Sequence, residues 1–261
     1  MTSVSRASTS TDLPPAVAFG PAVAAVCVGQ LARVRAARGS LLVVASLQSV
    51  GLLLLLRGVV DDTRAARQQV VSGAVVLVLA FVALNLLAQR FGALKANGGL
   101  SYYAALPVPG AAVVLGTAAA YATFTLPGAL VTGAIGCGLY GLPVLHLWAV
   151  LPVVVLGGAS LAGLGACVGL LSPKPELATV IGQLGMTLVL FLGLIPQSRL
   201  PNWLDPVLGI VPSTYAVRAL SDSLGSHIRA ASVLGDLAVC AAVAVVSLAA
   251  ATRAYERAVG R

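Results

Sequence analysis

Charge is what this sequence has least of. Asp, Glu, Lys and Arg make up 9% of its 261 residues, where a soluble domain carries roughly 25%. Hydrophobic residues make up 59% and the mean hydropathy is +0.99. A chain so poor in charge cannot cover itself in water, which excludes an ordinary soluble domain and places it in a membrane. Lysine occurs only as Lys95 and Lys174, preceded by Leu94 and Pro173. A P-loop ends in Gly-Lys-Ser or Gly-Lys-Thr, so the chain does not bind ATP through that motif. The only histidines are His146 and His227, and no HExxH occurs. The four cysteines, Cys27, Cys137, Cys167 and Cys240, form no CxxC pair and read as small apolar packing residues. Ser160 as an intramembrane nucleophile needs a base from another helix. His146 precedes it on the same expected span, roughly 21 Å away along the axis, which argues against a protease. No acidic residue falls centrally in an apolar stretch, which argues against an autonomous proton-coupled carrier.

What is present is a series of uncharged runs: residues 39–56, 68–89, 96–173, 177–198 and 237–252. A bilayer core takes about 20 helical residues, so the long run holds two spans and each other run one. The runs do not alternate as barrel strands do, and a helix satisfies its own backbone hydrogen bonds in lipid. The expected fold is therefore an all-α integral membrane bundle. It has spans near 40–58, 70–89, 110–131, 144–171, 177–195 and 233–252. Residues 16–261 read as one transmembrane domain. Residues 1–15, rich in Ser and Thr with Pro14 and Pro15, read as a disordered tail without the order of a signal peptide.

The net charge of +8 reads as topology rather than as a nucleic-acid surface. With both termini cytoplasmic, the inner side holds Arg6, Arg33, Arg35, Arg38, Arg90, Lys95, Lys174, Arg253, Arg257 and Arg261. The outer side holds Arg57, Arg64, Arg67, Arg199, Arg218 and Arg229. That bias obeys the positive-inside rule. Arg outnumbers Lys fourteen to two, a composition of GC-rich bacterial genomes, so the expected location is a bacterial cytoplasmic (inner) membrane.

Residues 21–38 read as an amphipathic helix lying along the inner leaflet, with a seventh span as the alternative. Residues 90–109 form the main cytoplasmic loop, broken at Asn97-Gly98-Gly99. Tyr102 and Tyr103 suit the membrane interface. SPKPE, Ser172–Glu176, is a tight turn. In the fourth span Gly158, Ala162 and Ala166 recur every four residues, as do Gly165 and Gly169. Such spacing lets helices approach closely in lipid, for packing or for a helix that slides. The proline-rich segment Pro196–Asp236 reads as two short helices dipping into the outer leaflet. Inside the spans the polar groups are uncharged: Gln48, Asn85 and Gln183. They either line a path for a large amphipathic substrate or bond neighbouring helices.

The chain thus has a pathway and no engine. The segment LPNWLDPVLGIVPSTYAVRAL, Leu200–Leu220, resembles the ABC-2-type permeases, the membrane halves of a class of bacterial ABC exporters. Pro201, Trp203, Pro212, Thr214, Tyr215 and Arg218 fit the pattern, while Val211 replaces the usual Asn. GALKANGGLSYYAALPVP and LARVRAARGSLL are similar to the family's loop after the second span and its approach to the first. The resemblance covers about residues 22–252. It implies six spans preceded by an amphipathic connecting helix, with short re-entrant outer helices before the last span. It implies a second permease chain, identical or paralogous, and two separate ATPase chains that hold the ATP and Mg.

It also implies that Arg33, Arg35, Arg38, Arg90, Phe91, Leu94, Lys95, Tyr102 and Tyr103 couple to the ATPase. Phe91 and Leu94 would be the hydrophobic anchors, with Arg90 and Lys95 as rim charges. An outer gate would use Pro196, Pro201, Trp203, Pro212 and Tyr215. The family's cargo is drugs, antibiotics, glycolipids or polysaccharides, and a weakly charged path suits an amphipathic or lipid-like one. The alternatives are a non-transporting membrane scaffold or assembly protein, and a secondary carrier.

Overall fold

The computed structural model describes residues 18–34, 38–58, 63–194, 211–225 and 230–260. The described residues fold entirely as helices and turns, with no sheet. The helices are α1 (Phe19–Val34), α2 (Arg38–Leu56), α3 (Arg64–Ala96), α4 (Gly99–Ala104) and α5 (Gly110–Tyr140). After a 3₁₀ turn at Val144–Ala149 come α6 (Val150–Leu171), α7 (Pro175–Leu194), α8 (Pro212–Ser223) and α9 (Ala230–Val259).

Five helices are long and apolar enough to cross a membrane, namely Arg64–Ala96, Gly110–Tyr140, Leu147–Leu171, Pro175–Gly193 and Ala230–Val259. Phe19–Arg33 and Val43–Leu56 are shorter apolar helices. The chain is a multi-pass membrane protein. Of the six expected spans, the first therefore corresponds to a shorter apolar helix, and the other five to long ones. The 16 residues of α1 reach about 24 Å, short of a bilayer core of roughly 30 Å.

α3 is the axis of the bundle. Thr63 caps its start, accepting from the Ala66 N–H at 3.3 Å. No charge interrupts residues 68–89, and Val70 to Ala80 are all buried. A helix apolar on every face belongs at the centre of its bundle. Accordingly α2, α5, α6, α7 and α8 all pack on α3. Midway, Ala80–Leu86 widens into π geometry. The outer helices show the reverse: in the apolar window of α9 22% of residues are buried, against 89% in α3.

Lipid tails are as apolar as leucine, so helices associate in a membrane through close packing and hydrogen bonds. α6 supplies the closest approach. A Cβ at Gly165 would lie 2.5 Å from the Leu84 carbonyl oxygen, and one at Gly169 2.5 Å from that of Ala88. The small-residue spacing of this helix thus seats it on the backbone of α3. On the far side of α6 the Ser247 hydroxyl of α9 donates to the Ser160 carbonyl at 3.2 Å. Around Gly158, in contrast, the space is open.

Three sequence expectations change in detail. The stretch 90–109 is helical on both sides of its break: α3 continues to Ala96, Gly98 turns the chain at φ 69°, and α4 follows. The third span does not stop near 131 but runs to Tyr140 through Pro127, a residue that neighbouring helices make tolerable in a membrane helix. The last helix begins before 233 and continues past 252 through RAYERAV to Val259, because those residues are good helix formers that reach the charged interface. The tail 1–15, Arg35, Pro196, Pro201, Trp203 and His227 lie outside the described residues.

Gly165→Leu is expected to lower stability by about 1–3 kcal/mol through overpacking against α3. Gly158→Ala is expected to be neutral or slightly stabilising. Melting of the detergent-purified variants checks the pair, and equal loss in both would contradict the close approach.

Candidate functional site

Side-chain contacts define two ends. At one, Lys95 bonds the carbonyl of Ser172, Gln30 bonds Tyr103, and Tyr255 lies against Gly110 at the start of α5; at the other, Tyr140 bonds Leu53 and Arg67, and Gln68 and Gln69 bond Leu224 and Gly193. They are called here the Lys95 end and the Tyr140 end.

The Lys95 end is tied through Gln30. On α1, Ala22, Val26 and Gln30 are buried at intervals of four, one stripe facing α5. Gln30 ends this stripe, with no exposed surface. Its Nε2 donates to the Tyr103 hydroxyl at 2.9 Å, and its Oε1 accepts from Arg90 Nη2 at 3.1 Å. One amide therefore joins α1, α3 and α4. Tyr103 is buried, whereas Tyr102 is 60% exposed, its ring edge-on to that of Tyr103 at 5.5 Å. Three helices meet behind one exposed aromatic ring.

The other residues expected to couple at this end have different surroundings. Phe91 and Leu94 are buried in the chain's own core, so neither presents the apolar surface an anchor needs. Lys95 is not a rim charge. Its Nζ donates to the carbonyls of Leu170 at 2.8 Å and Ser172 at 3.0 Å. It caps the end of α6, where the helix dipole favours a cation. Arg33 is exposed in the last turn of α1, and Arg38 opens α2.

Two of the three mid-span amides meet. Asn85 Nδ2, in the π segment, donates to Gln183 Oε1 of α7 at 3.2 Å. Gln89 Nε2 donates to Asn85 Oδ1 at 3.0 Å. These bonds join α3 to α7. Gln48 lies apart on α2 with its side chain exposed. On α7 the exposed Gln183 stands in line with the exposed Thr179 and the partly exposed Thr187. That makes a polar stripe at helical spacing. Exposed Val180, Ile181, Leu184 and Leu188 flank that stripe, and the exposed middle of α9 carries Val245 and Val246.

At the Tyr140 end, Pro212 stands in the first turn of α8, a position suited to its missing N–H. The Arg218 guanidinium sits 5.6 Å from the centre of the Tyr215 ring, within cation–π range. Two neighbouring glutamines hold this end. Gln68 Nε2 donates to the Leu224 carbonyl beyond α8 at 3.1 Å, and Gln69 Nε2 to the Gly193 carbonyl of α7 at 2.9 Å. Pro212 and Tyr215 thus sit on a helix tethered to α3.

The Ser160 hydroxyl donates to the Gly157 carbonyl of its own helix at 2.7 Å. No His, Cys, Asp and Glu grouping able to hold a metal occurs among the described residues. Gln30, Gln68 and Gln69 carry no motif that marks them in the sequence. Gln30 has a weaker signal: an amide in register with Ala22 and Val26.

Residues 59–253 match a family model described as ABC-2 family transporter protein. No curated protein matches the chain.

Lys95→Met leaves two carbonyls at the end of α6 without this donor. It is expected to cost about 1–3 kcal/mol, read as a lower melting temperature, with Lys95→Arg retaining most of the stability. An unchanged melting temperature for Lys95→Met would contradict the cap.

Proposed function

The chain belongs to the ABC-2 transporter family, and on that premise we propose that it is the membrane permease of an ATP-driven exporter. It does not supply the ATPase, because neither lysine can complete a P-loop. Two ATPase chains carry the ATP and Mg. A second permease chain, identical or paralogous, completes the complex in a bacterial cytoplasmic membrane.

The observation that carries this proposal is the tie at the Lys95 end. We take that end as cytoplasmic. Among the described residues it carries Arg90, Lys95, Lys174, Arg253 and Arg257, as the positive-inside rule asks. Exposed Tyr102 offers an aromatic contact for the ATPase, while Tyr103 behind it is bonded through Gln30 to α1 and α3. A push on α4 therefore reaches two further helices directly. Contact alone does no work: ATP must favour one arrangement of the bundle over another. α3 carries the displacement to the Tyr140 end, where Gln68 and Gln69 hold α8 and α7. There α8, with Pro212 and Tyr215, closes the exit.

The path runs along α2 and α7. An amide facing hydrocarbon is costly, yet Gln48 and Gln183 are exposed on these two helices, with Thr179 beside Gln183. Facing a second permease across a polar path removes that cost. The apolar exposed face of α9 turns to lipid. So weakly charged a path suits an amphipathic or lipid-like cargo.

Mild-detergent purification of the tagged chain from its own membranes, followed by mass spectrometry, tests the proposal. A stoichiometric P-loop ATPase and one further permease chain per complex are expected. Absence of any ATPase under conditions that keep another ABC complex intact would overturn the exporter and favour a scaffold or secondary carrier. Within the complex, Tyr102→Ala is expected to weaken ATPase retention. Tyr103→Phe is expected to leave retention intact and to lower substrate-stimulated hydrolysis several-fold, because only the bond to Gln30 is lost.

A further inference from the structure

A cleft of about 270 Å³ lies between α5, α6 and α9, with the π segment of α3 behind it. Ala118 and Ala122 of α5, Gly158 and Ala159 of α6 and Leu248 of α9 form its walls. Its side-chain polar groups are those of Tyr121 and Thr125, and the Thr125 hydroxyl already donates to the Tyr121 carbonyl at 3.0 Å. Exposed Val155 and Ala122 stand at its margin, so it opens sideways at the depth of the hydrocarbon. Two hydroxyls among thirteen lining residues leave most of the wall apolar. What fits the lining is hydrocarbon.

The charge beside it is equally specific. Ala83, in the rear wall of the cleft, lies on α3 seven residues before Arg90, which places Arg90 about two turns from it toward the Lys95 end. Among the described residues the Arg90 guanidinium makes a single hydrogen bond, to the neutral amide of Gln30. Its Nε is buried without an acceptor. A guanidinium offers five donors, and leaving it part-buried with no carboxylate bonded to it among the described residues is costly. Planar, bidentate donors match a phosphate. Basic sites between membrane helices at the headgroup side select acidic lipids.

We propose that this cleft holds an acyl chain of a bilayer phospholipid with a net negative headgroup, whose phosphate pairs with Arg90. The lipid comes from the leaflet on the Lys95 side, since Arg90 lies toward that end of α3. The site is separate from the polar stripe on α7, and it stands whether or not the chain exports anything. Occupancy would pack α5, α6 and α9 against one another and anchor Arg90 where it meets Gln30. Lipid composition would then bear on the tie at the Lys95 end.

Native mass spectrometry of the purified chain, exchanged into mixed micelles of dioleoylphosphatidylglycerol and dioleoylphosphatidylcholine, tests the proposal. The wild-type chain should retain phosphatidylglycerol over phosphatidylcholine by about fivefold or more. Arg90→Gln should abolish that preference, and Arg90→Lys should keep most of it. Gly158→Leu should fill the cleft and reduce retention of both lipids. Room for its first carbon exists at Gly158, so this variant keeps the test alive if Arg90→Gln fails to fold. Equal retention of both lipids by the wild-type chain, or unchanged retention by Gly158→Leu, would overturn the proposal.

Discussion

The seat of α6 on the backbone of α3 is the contact on which the remaining arrangement depends. Inside a bilayer no hydrophobic force draws two helices together, so adhesion has to come from short-range packing. Gly165 and Gly169 bring α6 against the Leu84 and Ala88 carbonyl oxygens. With α6 in place, α9 follows through Ser247 and Ser160, and Lys95 finds the end of α6. α3 itself is buried nearly all round. It holds its place as the best-covered helix while α7 and α9 expose broad apolar faces.

The same helix joins the two ends of the molecule. Its Arg90 belongs to the Gln30–Tyr103 tie, and its Gln68 and Gln69 hold the carbonyls of Leu224 and Gly193. Between these ends lie the π segment and Asn85, which is bonded to Gln183 on α7. π geometry inside a helix is uncommon and frequent at functional sites. A continuous helix with polar ties at both ends and a widened middle is suited to act as a mechanical link. In the proposed permease it would transmit displacement without requiring any charge in the hydrocarbon.

The membrane class was legible because charge spacing reports directly on the environment: residues 68–89 without charge do become the buried length of α3. The close approach of α6 was legible in Gly165 and Gly169, since glycine at helical spacing has few other uses in lipid. Roles at the Lys95 end were harder to read. Lys95 reads alike as a rim charge or as a cap, because only the fold brings the carbonyls of Leu170 and Ser172 beside it. Phe91 and Leu94 read alike as anchors or core, and burial decides for core. Gln30 sits 73 residues from Tyr103, and no local pattern announces a partner so distant. Helix ends blurred too, since a span is set by apolarity while the helix continues as long as its backbone can bond.

The central claim is that one helix links the two ends. It is tested most directly by hydrogen–deuterium exchange, in lipid nanodiscs, on the proposed complex of this chain with an ATPase. Exchange is compared with and without a non-hydrolysable ATP analogue. The account predicts that protection changes together at α4 and α8, while the buried length of α3 stays protected in both states. A change at α4 with α8 unaltered, or loss of protection along α3 itself, would contradict it.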